Sequence, residues 1–359
     1  MYKRLEPTRL EPTRLVPTRL EKRSWFVNII VIITLLLTTI VVIYLYLIFG
    51  ISFKKSIVKS VDKSNENWMS SLDPENYITQ IVLPGTHDSL AFGEAKITNT
   101  KISKLAKSLF KYKWIPGLKH KITRWAETQQ NDITAQLNRG IRYFDFRVVF
   151  DDIEKKCYGI HTCAFAEFSD ALDKIESWIS QKPTEVIIIK YRSSSVMCDN
   201  IFRKKLVKWI LPAKYDIFKM KLKDFYSSSY RIILSADVEL SSKKNDDLIH
   251  PNIFFEDWKN TFYEEEKKEH MINTLTSFNS NKNKLFILDW TITPQTTDVI
   301  LNNSSLLKHA ENMNGELDFF LKNLNQEDKN KIKIISVDNE KTIDLVNIIF
   351  SNNLNKKQG

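Results

Sequence analysis

Eight short apolar runs recur along the chain, and their spacing limits the folds open to it. They lie at 78–85, 141–149, 157–161, 185–191, 230–236, 252–256, 284–290 and 332–338. Continuous β-branched runs suit strands that are covered on both faces, as in a parallel sheet. Stretches between them, such as residues 167–181, carry apolar residues at helical spacing. This alternation predicts an α/β fold, an irregular (β/α)8 barrel of the TIM type.

Polar residues with catalytic potential stand near the carboxyl ends of these runs. In a barrel those ends meet on one face, which is where active sites form. The runs therefore bring two histidines, several acids and several cations to one rim: His87, Asp88, Asp145, Arg147, His161, Lys190, Arg192, Asp289 and Asp338. Each alone has a structural explanation, since an Asp after a strand often caps the next helix. Their convergence favours an active site. An open doubly wound sheet is the alternative fold, but no glycine-rich phosphate loop follows any run.

Residues 25–49 contain no charged side chain and are mostly apolar. About 20 apolar residues span the hydrocarbon layer, so this segment predicts a single uncleaved transmembrane anchor. Trp25, Tyr44 and Tyr46 lie near its ends, where aromatic rings favour the headgroup region. A cleavable signal peptide is the competing interpretation, but the run is too long for one. Basic residues are more numerous before it than after it, which predicts a luminal or extracellular catalytic domain.

The remaining divisions follow from composition. The unit RLEPT repeats through residues 4–20, and its prolines exclude a regular helix, so 1–24 is predicted to be a disordered tail. We expect a linker at 50–75, the barrel at 76–350 and a C-terminal tail at 351–359. The formal net charge of +10 indicates an anionic partner, either lipid headgroups or nucleic acid.

The chain has three cysteines, Cys157, Cys163 and Cys198, which are too few for a disulfide framework. None of them forms a CxxC pair of the kind that binds metal. Cys157 and Cys163 are close enough in sequence for one bridge, and spacing alone does not decide whether it forms.

Four strings of the sequence carry a family resemblance: LPGTHDS (83–89), QLNRGIRYFDFRV (136–148), GIH (159–161) and PTEVIIIKYR (183–192). In order and spacing they resemble the X domain of phosphatidylinositol-specific phospholipases C. The likeness is to the bacterial-type branch and its X-domain-only relatives, over residues 76–350. It implies cleavage of phosphatidylinositol, or of a glycosylphosphatidylinositol anchor, through an inositol 1,2-cyclic phosphate. It also implies an inositol phospholipid and a membrane as partners, and no nucleic acid.

The resemblance implies a catalytic role for five residues. His87 would be the general base on the inositol 2-hydroxyl, and His161 the general acid on the diacylglycerol oxygen. Arg147, supported by Asp88, would stabilise charge on the phosphoryl oxygens. Asp338 would hydrogen-bond His87 and orient its ring. Phosphoryl transfer needs a base, an acid and positive charge at the equatorial oxygens, so these residue types fit that chemistry.

The resemblance also implies supporting residues and a metal-independent site. Asp145 would support His161, and Lys190 would contact the headgroup. Arg192 and Asp289 are added as supporting residues only because they stand at strand ends. In calcium-dependent relatives, acidic and Asn ligands hold a metal ion, and Arg147 stands where that branch has a carboxylate. A fixed guanidinium makes bidentate contacts with phosphate and can replace the ion. We therefore expect no metal and no cofactor.

Several features leave alternatives open. Thr162 follows the second histidine, where the family usually has glycine, and this departure puts the fit of the substrate in doubt. Residues 101–115 place apolar side chains on one helical face and lysines elsewhere. They predict either an interfacial membrane helix or a barrel helix with a solvated face. The functional alternatives are an inactive lipid-binding or interaction module on the same barrel, or a related phosphodiesterase for a glycerol or choline lipid.

Overall fold

The computed structural model describes residues 29–41, 63–96, 117–193, 195–236, 247–279, 283–302 and 304–355. Residues 29–41 fall in one compact unit and the other ranges in a second. The first unit is described as a helix at 29–41, and its large apolar side chains from Ile30 onward are exposed. No helix within the described ranges is long and apolar enough to cross a membrane. The predicted anchor at 25–49 extends past this helix at both ends, and the predicted tail and the segment 101–115 lie outside the described residues.

The second unit is built on one sheet, which has nine strands in the described part of the chain. The strands are β1 (Leu83–Thr86), β2 (Tyr143–Asp151), β3 (Lys156–His161), β4 (Cys163–Glu167), β5 (Ile187–Ser193), β6 (Ile232–Ala236), β7 (Phe254–Phe255), β8 (Leu285–Trp290) and β9 (Ile332–Val337). Seven are parallel and neighbour one another in the order β6, β5, β2, β1, β9, β8, β7. His250, which precedes β7, forms a parallel bridge to Ser235 of β6 and closes the ring.

Helices separate most of the strands. They are α1 (Leu118–Ala126), α2 (Ile133–Asn138), α3 (Phe168–Ile179), α4 (Val196–Leu206), α5 (Leu222–Tyr226), α6 (Glu264–Ser277), α7 (Thr296–Leu301), α8 (Leu306–Asn323), α9 (Gln326–Lys331) and α10 (Leu345–Ser351). Short 3₁₀ helices occur at Lys63–Ser71, Ile78–Gln80, Val207–Trp209, Ile217–Lys219 and Glu340–Thr342. The amphipathic helix predicted within 167–181 is α3, which buries Phe168, Leu172 and Ile175. This strand and helix order confirms a TIM-barrel-like α/β fold.

The strands alternate between two apolar clusters, as the two-residue period of a strand requires. Ile187 and Ile189 of β5 pack in the larger cluster, which contains side chains of α3, α4 and α8, whereas Ile188 packs in the other. Positions on the six other ring strands join Ile188: Leu83, Tyr143, Ile233, Phe254, Ile287 and Ile334. Because all seven described ring strands contribute to it, this second cluster is the interior of the barrel. It closes the amino-terminal end of the ring and leaves the other end for polar groups.

The run at 157–161 does not form the eighth barrel strand that the sequence predicts. It forms β3, which is antiparallel to β2, with Asp151 opposite Lys156 and Val148 opposite Gly159. The reason is the length of β2, which continues past the end of its parallel neighbours and is followed by a tight turn. Among the described residues the ring therefore has seven parallel strands, and β3 and β4 form a hairpin beside it.

The core also extends beyond the predicted limits of the barrel. Trp68, Met69 and Leu72, which lie in the predicted linker, are buried in the interior cluster. Asn355, in the predicted C-terminal tail, makes hydrogen bonds of 2.8 and 2.9 Å with the backbone amide and carbonyl of Val82. Both segments cover the amino-terminal end of the ring, which would otherwise expose apolar side chains to water.

The disulfide joins a pair of cysteines that the sequence analysis did not consider. Cys157 of β3 is bonded to Cys198 of α4, with the two Cα atoms 5.8 Å apart. Cys163 lies outside this disulfide and is buried. Cys157 and Cys163 stand on neighbouring antiparallel strands, but Cys157 packs against the helices and Cys163 packs against α1.

Candidate active site

The site is the uppermost layer of the barrel interior. Interior positions recur every second residue along a strand. Toward the carboxyl end of β1, Leu83 is therefore followed on the same face by Gly85 and His87. In the same way Tyr143 is followed by Asp145 and Arg147. Three other strands continue upward likewise: Ile188 to Lys190 and Arg192, Ile287 to Asp289, and Ile334 to Ser336 and Asp338. Strand pairing sets these residues side by side, with Asp145 opposite Lys190 and Arg147 opposite Arg192.

His87 is buried and held at both ring nitrogens. Its Nδ1 lies 3.0 Å from Oδ1 of Asp338, and its Nε2 lies 3.0 Å from Nη2 of Arg147. A guanidinium has only donors, so Nε2 must accept and the ring proton must be on Nδ1. Burial, followed by the charge of Arg147, holds the pKa of His87 well below its ordinary value of 6.5. A neutral ring with a lone pair on Nε2 is the form that a general base requires.

Arg147 lies between two buried carboxylates. Its Nε is 2.8 Å from Oδ1 of Asp88, and its Nη2 is 3.0 Å from Oδ2 of Asp145. Burial raises the pKa of Asp145, but the charges of Arg147 and Lys190 outweigh it and lower that pKa below its ordinary value. The guanidinium is therefore fixed in orientation, while part of its surface remains exposed to the rim.

His161 comes from outside the ring of parallel strands. It ends β3, which is antiparallel to β2 and brings His161 back to the rim. Its Nδ1 lies 2.8 Å from the carbonyl oxygen of Ala126, which can only accept, so Nδ1 carries a proton. Its Nε2 lies 3.8 Å from Oδ2 of Asp88, and the same oxygen is 3.3 Å from Nε2 of His87. The two imidazole centroids are 6.2 Å apart. The predicted support of His161 by Asp145 is not what the structure shows, because Asp145 binds Arg147.

Asp338 is buried, and burial together with the charges of Asp88 and Asp289 raises its pKa well above the ordinary value. The side chain of Asn314 donates to the backbone carbonyls of Asp338 and Asn339, at 2.8 and 3.2 Å. Asn339 adopts a positive φ of 50°. These contacts fix the turn that aims Asp338 at His87, which is the contact that the family resemblance implied.

The other predicted rim residues form two ion pairs. Lys190 is buried and pairs with Glu256, whose carboxylate also lies 3.6 Å from Nη2 of Arg192. Asp289 pairs with Lys267, a fully buried lysine of α6. Glu256 therefore joins Lys190 to Arg192 at the rim. Glu256 ends the predicted strand at 252–256, so the rule that picked out the other strand-end residues would have identified it.

Trp258 and Lys267 are site residues that the sequence analysis missed. The ring of Trp258 lies 5.0 Å from that of His87, tilted by 32°. The Nζ atom of Lys267 lies 4.7 Å from the centre of the Trp258 ring, within range of a cation–π contact. Nothing in the sequence marks Lys267, because it lies within the charged string EEEKKEH.

A buried amide and hydroxyl network supports the first histidine. Gln129 donates from Nε2 to the carbonyl of His87 at 2.9 Å and to that of Val337 at 3.0 Å. Ser89 accepts from the amide of Asp145 at 2.9 Å and donates to the carbonyl of Thr86 at 2.9 Å. These bonds tie β1 to β2 and β9 at the level of the site, so the Thr and Ser that flank HD in the THDS string are structural.

Thr162 follows His161 with a φ of 60°, in the left-handed region. Glycine adopts this region without strain, whereas a β-branched residue pays a steric cost there. The position therefore requires a backbone conformation that glycine adopts without strain, and Thr162 adopts it at a steric cost.

His87, Asp88 and Asp145 each offer an atom that could bind a metal ion, and these atoms lie within 4.8 Å of one another. Arg147 contacts all three residues at 2.8 to 3.0 Å. A cation is thus already present at the centre of this cluster, in the form of the guanidinium. The expectation of a metal-independent site stays a prediction.

Comparisons with known proteins place this geometry in context. No protein-family model matches the chain. The chain is 27% identical over 201 residues to human PI-PLC X domain-containing protein 1, which covers 52% of this chain and 61% of that protein. It is 30% identical over 155 residues to human PI-PLC X domain-containing protein 2, covering 41% of this chain and 50% of that protein. A 1-phosphatidylinositol phosphodiesterase of Staphylococcus aureus is 30% identical over 135 residues, covering 37% and 36%.

Solved structures show the same fold. Phosphatidylinositol-specific phospholipase C from Listeria monocytogenes superposes with a TM-score of 0.55 at 22% identity, covering 80% of this chain and 98% of that one. A variant of the enzyme from Staphylococcus aureus gives 0.55 at 21% identity, covering 83% and 100%.

The structure thus defines an α/β barrel with a histidine and arginine site at the carboxyl ends of its strands. The chain is similar in sequence to PI-PLC X domain-containing proteins and to a bacterial 1-phosphatidylinositol phosphodiesterase, which is the resemblance that its motifs predicted. The matched region spans about half the length of the two human relatives.

Proposed function

We propose that the chain is a metal-independent phospholipase C that cleaves the phosphodiester of phosphatidylinositol or of a glycosylphosphatidylinositol anchor. The observation that carries this proposal is the pair of imidazoles whose Nε2 atoms both lie near Oδ2 of Asp88, at 3.3 and 3.8 Å. Arg147 lies beside them with its guanidinium partly exposed. A relative named 1-phosphatidylinositol phosphodiesterase supports the choice of substrate.

In this proposal His87 takes the proton of the inositol 2-hydroxyl on Nε2, and the hydroxyl oxygen attacks phosphorus. His161 gives a proton from Nε2 to the diacylglycerol oxygen as the bond from phosphorus to that oxygen breaks. The products are diacylglycerol and an inositol 1,2-cyclic phosphate. Asp338 accepts from Nδ1 of His87 and stabilises the imidazolium that forms.

Arg147 contributes positive charge where the phosphoryl oxygens gain negative charge. Its Nη2 donates to Nε2 of His87 in the described structure, so this contact must open before His87 can accept the substrate proton. A phosphate oxygen is the natural replacement acceptor, because guanidinium and phosphate form paired charge-assisted hydrogen bonds. Asp88 and Asp145 keep the guanidinium at the site in both states.

We further propose that this chemistry is held at a membrane by a single span at residues 25–49. The large apolar side chains of the helix at 29–41 are roughly half exposed or more, among them Ile30 at 61% and Leu36 at 58%. Water disfavours such surface, and a hydrocarbon environment removes the cost. A disulfide is typical of oxidising compartments, which supports a luminal or extracellular catalytic domain.

The test is release of water-soluble phosphate from phosphatidylinositol vesicles in the presence of a chelator. We expect turnover by the wild-type chain and a loss of about 10²–10⁴-fold in His87→Ala and in His161→Ala. His120→Ala, which changes an exposed histidine of α1, is the control and should match wild type. Unchanged turnover in either site variant would refute the mechanism, and vesicle binding without turnover would favour the inactive lipid-binding module.

A further inference from the structure

We propose that the Cys157–Cys198 disulfide positions the general acid His161, an inference that rests on the proposed function. The base and the arginine lie on ring strands, at the end of β1 and within β2. The acid is placed differently. His161 ends β3, which belongs to the hairpin beside the ring.

The strand ladder does not fix the position of His161. Pairing between β3 and β2 runs from Lys156 to Gly159 and stops there. His161 lies two residues beyond, opposite Cys163 of β4, with only the strained Thr162 between them. The acid therefore stands at the overhanging end of a hairpin that joins the ring through one strand.

Noncovalent contacts hold the hairpin on the side of β1 and α1. The backbone of Ala164 pairs with that of Lys96. Gly159 lies so close to Leu90 that a Cβ at this position would come within 2.2 Å of the Leu90 Cβ. The imidazole itself has one hydrogen bond to the protein framework, from Nδ1 to the carbonyl of Ala126.

The disulfide supplies a second attachment to the ring. Cys198 is the third residue of α4, which directly follows β5. The start of α4 is firmly held, because Ser195 caps the amide of Met197 at 3.3 Å and Tyr191 of β5 donates to Asp199 at 3.0 Å. The bond thus connects the middle of β3 to a ring strand other than β2.

Without the disulfide, β3 can rotate about its hydrogen-bonded pairing with β2. His161 lies at the end of β3, so it is displaced further than the paired residues. Cys157 and His161 are four residues apart, or about 13 Å at the usual strand rise of about 3.3 Å per residue. A displacement of about 1 Å at a reacting group can cost on the order of 10²-fold in rate. His87 and Arg147 stay in place. The rate of leaving-group protonation should therefore decrease, whereas attack of the inositol 2-hydroxyl on phosphorus should be unaffected.

The experiment compares two inositol phosphodiesters that differ only in the leaving group. An alkyl alcohol needs the acid to leave, whereas a nitrophenol leaves as a stable anion without one. His161→Ala sets the reference, with kcat lowered about 10²–10⁴-fold on the alkyl substrate and little on the aryl one. We expect the double variant Cys157→Ala/Cys198→Ala to lose about 10- to 100-fold on the alkyl substrate and no more than about threefold on the aryl substrate.

Cys163→Ala is the matched control, because it removes a buried thiol from the same hairpin and leaves the disulfide intact. It should show no selectivity between the two substrates. An equal loss on both substrates in the double variant, or no loss, would overturn the proposal. A wild-type chain that cleaves neither substrate would refute the proposed function itself.

Reduction of the folded wild-type chain with a phosphine tests the same point if the double variant fails to fold. Selective loss on the alkyl substrate, reversed on reoxidation, supports the positioning role. Equal or absent loss, at a circular dichroism spectrum unchanged by the reductant, overturns it.

Discussion

Replacement of Arg147 by lysine tests whether a guanidinium, and not merely a positive charge, is required at the site. Nε and Nη2 together make three contacts at 2.8 to 3.0 Å, with Asp88, Asp145 and Nε2 of His87. A lysine ammonium keeps the charge but cannot present the fork. At least one buried carboxylate then loses a charge-assisted hydrogen bond, at a cost of about 1.5–3 kcal/mol in folding stability.

The increase in the activation free energy of the reaction should exceed this loss of folding stability. Loss of one donor to a developing oxyanion typically lowers kcat by about 10²–10³-fold, or about 2.7–4 kcal/mol. We expect that loss for Arg147→Lys in initial rates of soluble phosphate release from phosphatidylinositol vesicles with chelator present. Arg124→Lys, in the last turn of α1, is the control for the exchange of side chains. An Arg147→Lys variant within about threefold of wild-type kcat would refute the reasoning, since it would show that a point charge suffices.

Three further predictions concern strain, burial and pH. Thr162→Gly should raise the free energy of unfolding in urea by about 1–2 kcal/mol, because it removes a β-branched residue from the left-handed region; an unchanged or lower value would contradict this. Burial raises the pKa of Glu340 from 4.5 to about 7, because the charged form is poorly solvated. The folded chain therefore binds this proton more tightly than the unfolded chain. The resulting stability is fully present below pH 4.5 and is lost as pH rises through about 7. Glu340→Gln should therefore be more stable than wild type at pH 9 by up to roughly 3 kcal/mol and similar at pH 5 in thermal melts, and equal stability at pH 9 would refute the assignment. Because burial lowers the pKa of His87, the acidic limb of the profile of kcat/KM against pH should fall below pH 6.5, and a limb above that value would contradict a buried neutral base.

The site was largely predictable because it follows from a local rule, the two-residue period of a strand. Asp145 and Arg147 follow Tyr143 on the same face of β2, and Lys190 follows Ile188 on that of β5. A short buried strand therefore shows in sequence which of its end residues point into the barrel. Glu256 obeys the same rule, and the sequence alone was sufficient to find it.

The features that were not predicted depend on partners distant in sequence. The run at 157–161 is as short and apolar as the others, and only its antiparallel pairing with β2 separates it from the barrel strands. Lys267 is buried because Asp289, 22 residues away, is its partner. Cys157 meets Cys198 across 41 residues because α3 and α4 pack side by side behind β3. No local pattern encodes these contacts.

The phosphorus chemistry of the product tests the central claim most directly. ³¹P NMR of the reaction in ¹⁸O-labelled water follows which phosphate forms first from phosphatidylinositol and whether it contains solvent oxygen. If His87 activates the inositol 2-hydroxyl and His161 protonates the leaving oxygen, the first product is a five-membered cyclic phosphodiester without label. Direct formation of ¹⁸O-labelled inositol 1-phosphate, with no cyclic species before it, would show that water is the nucleophile and would contradict the account.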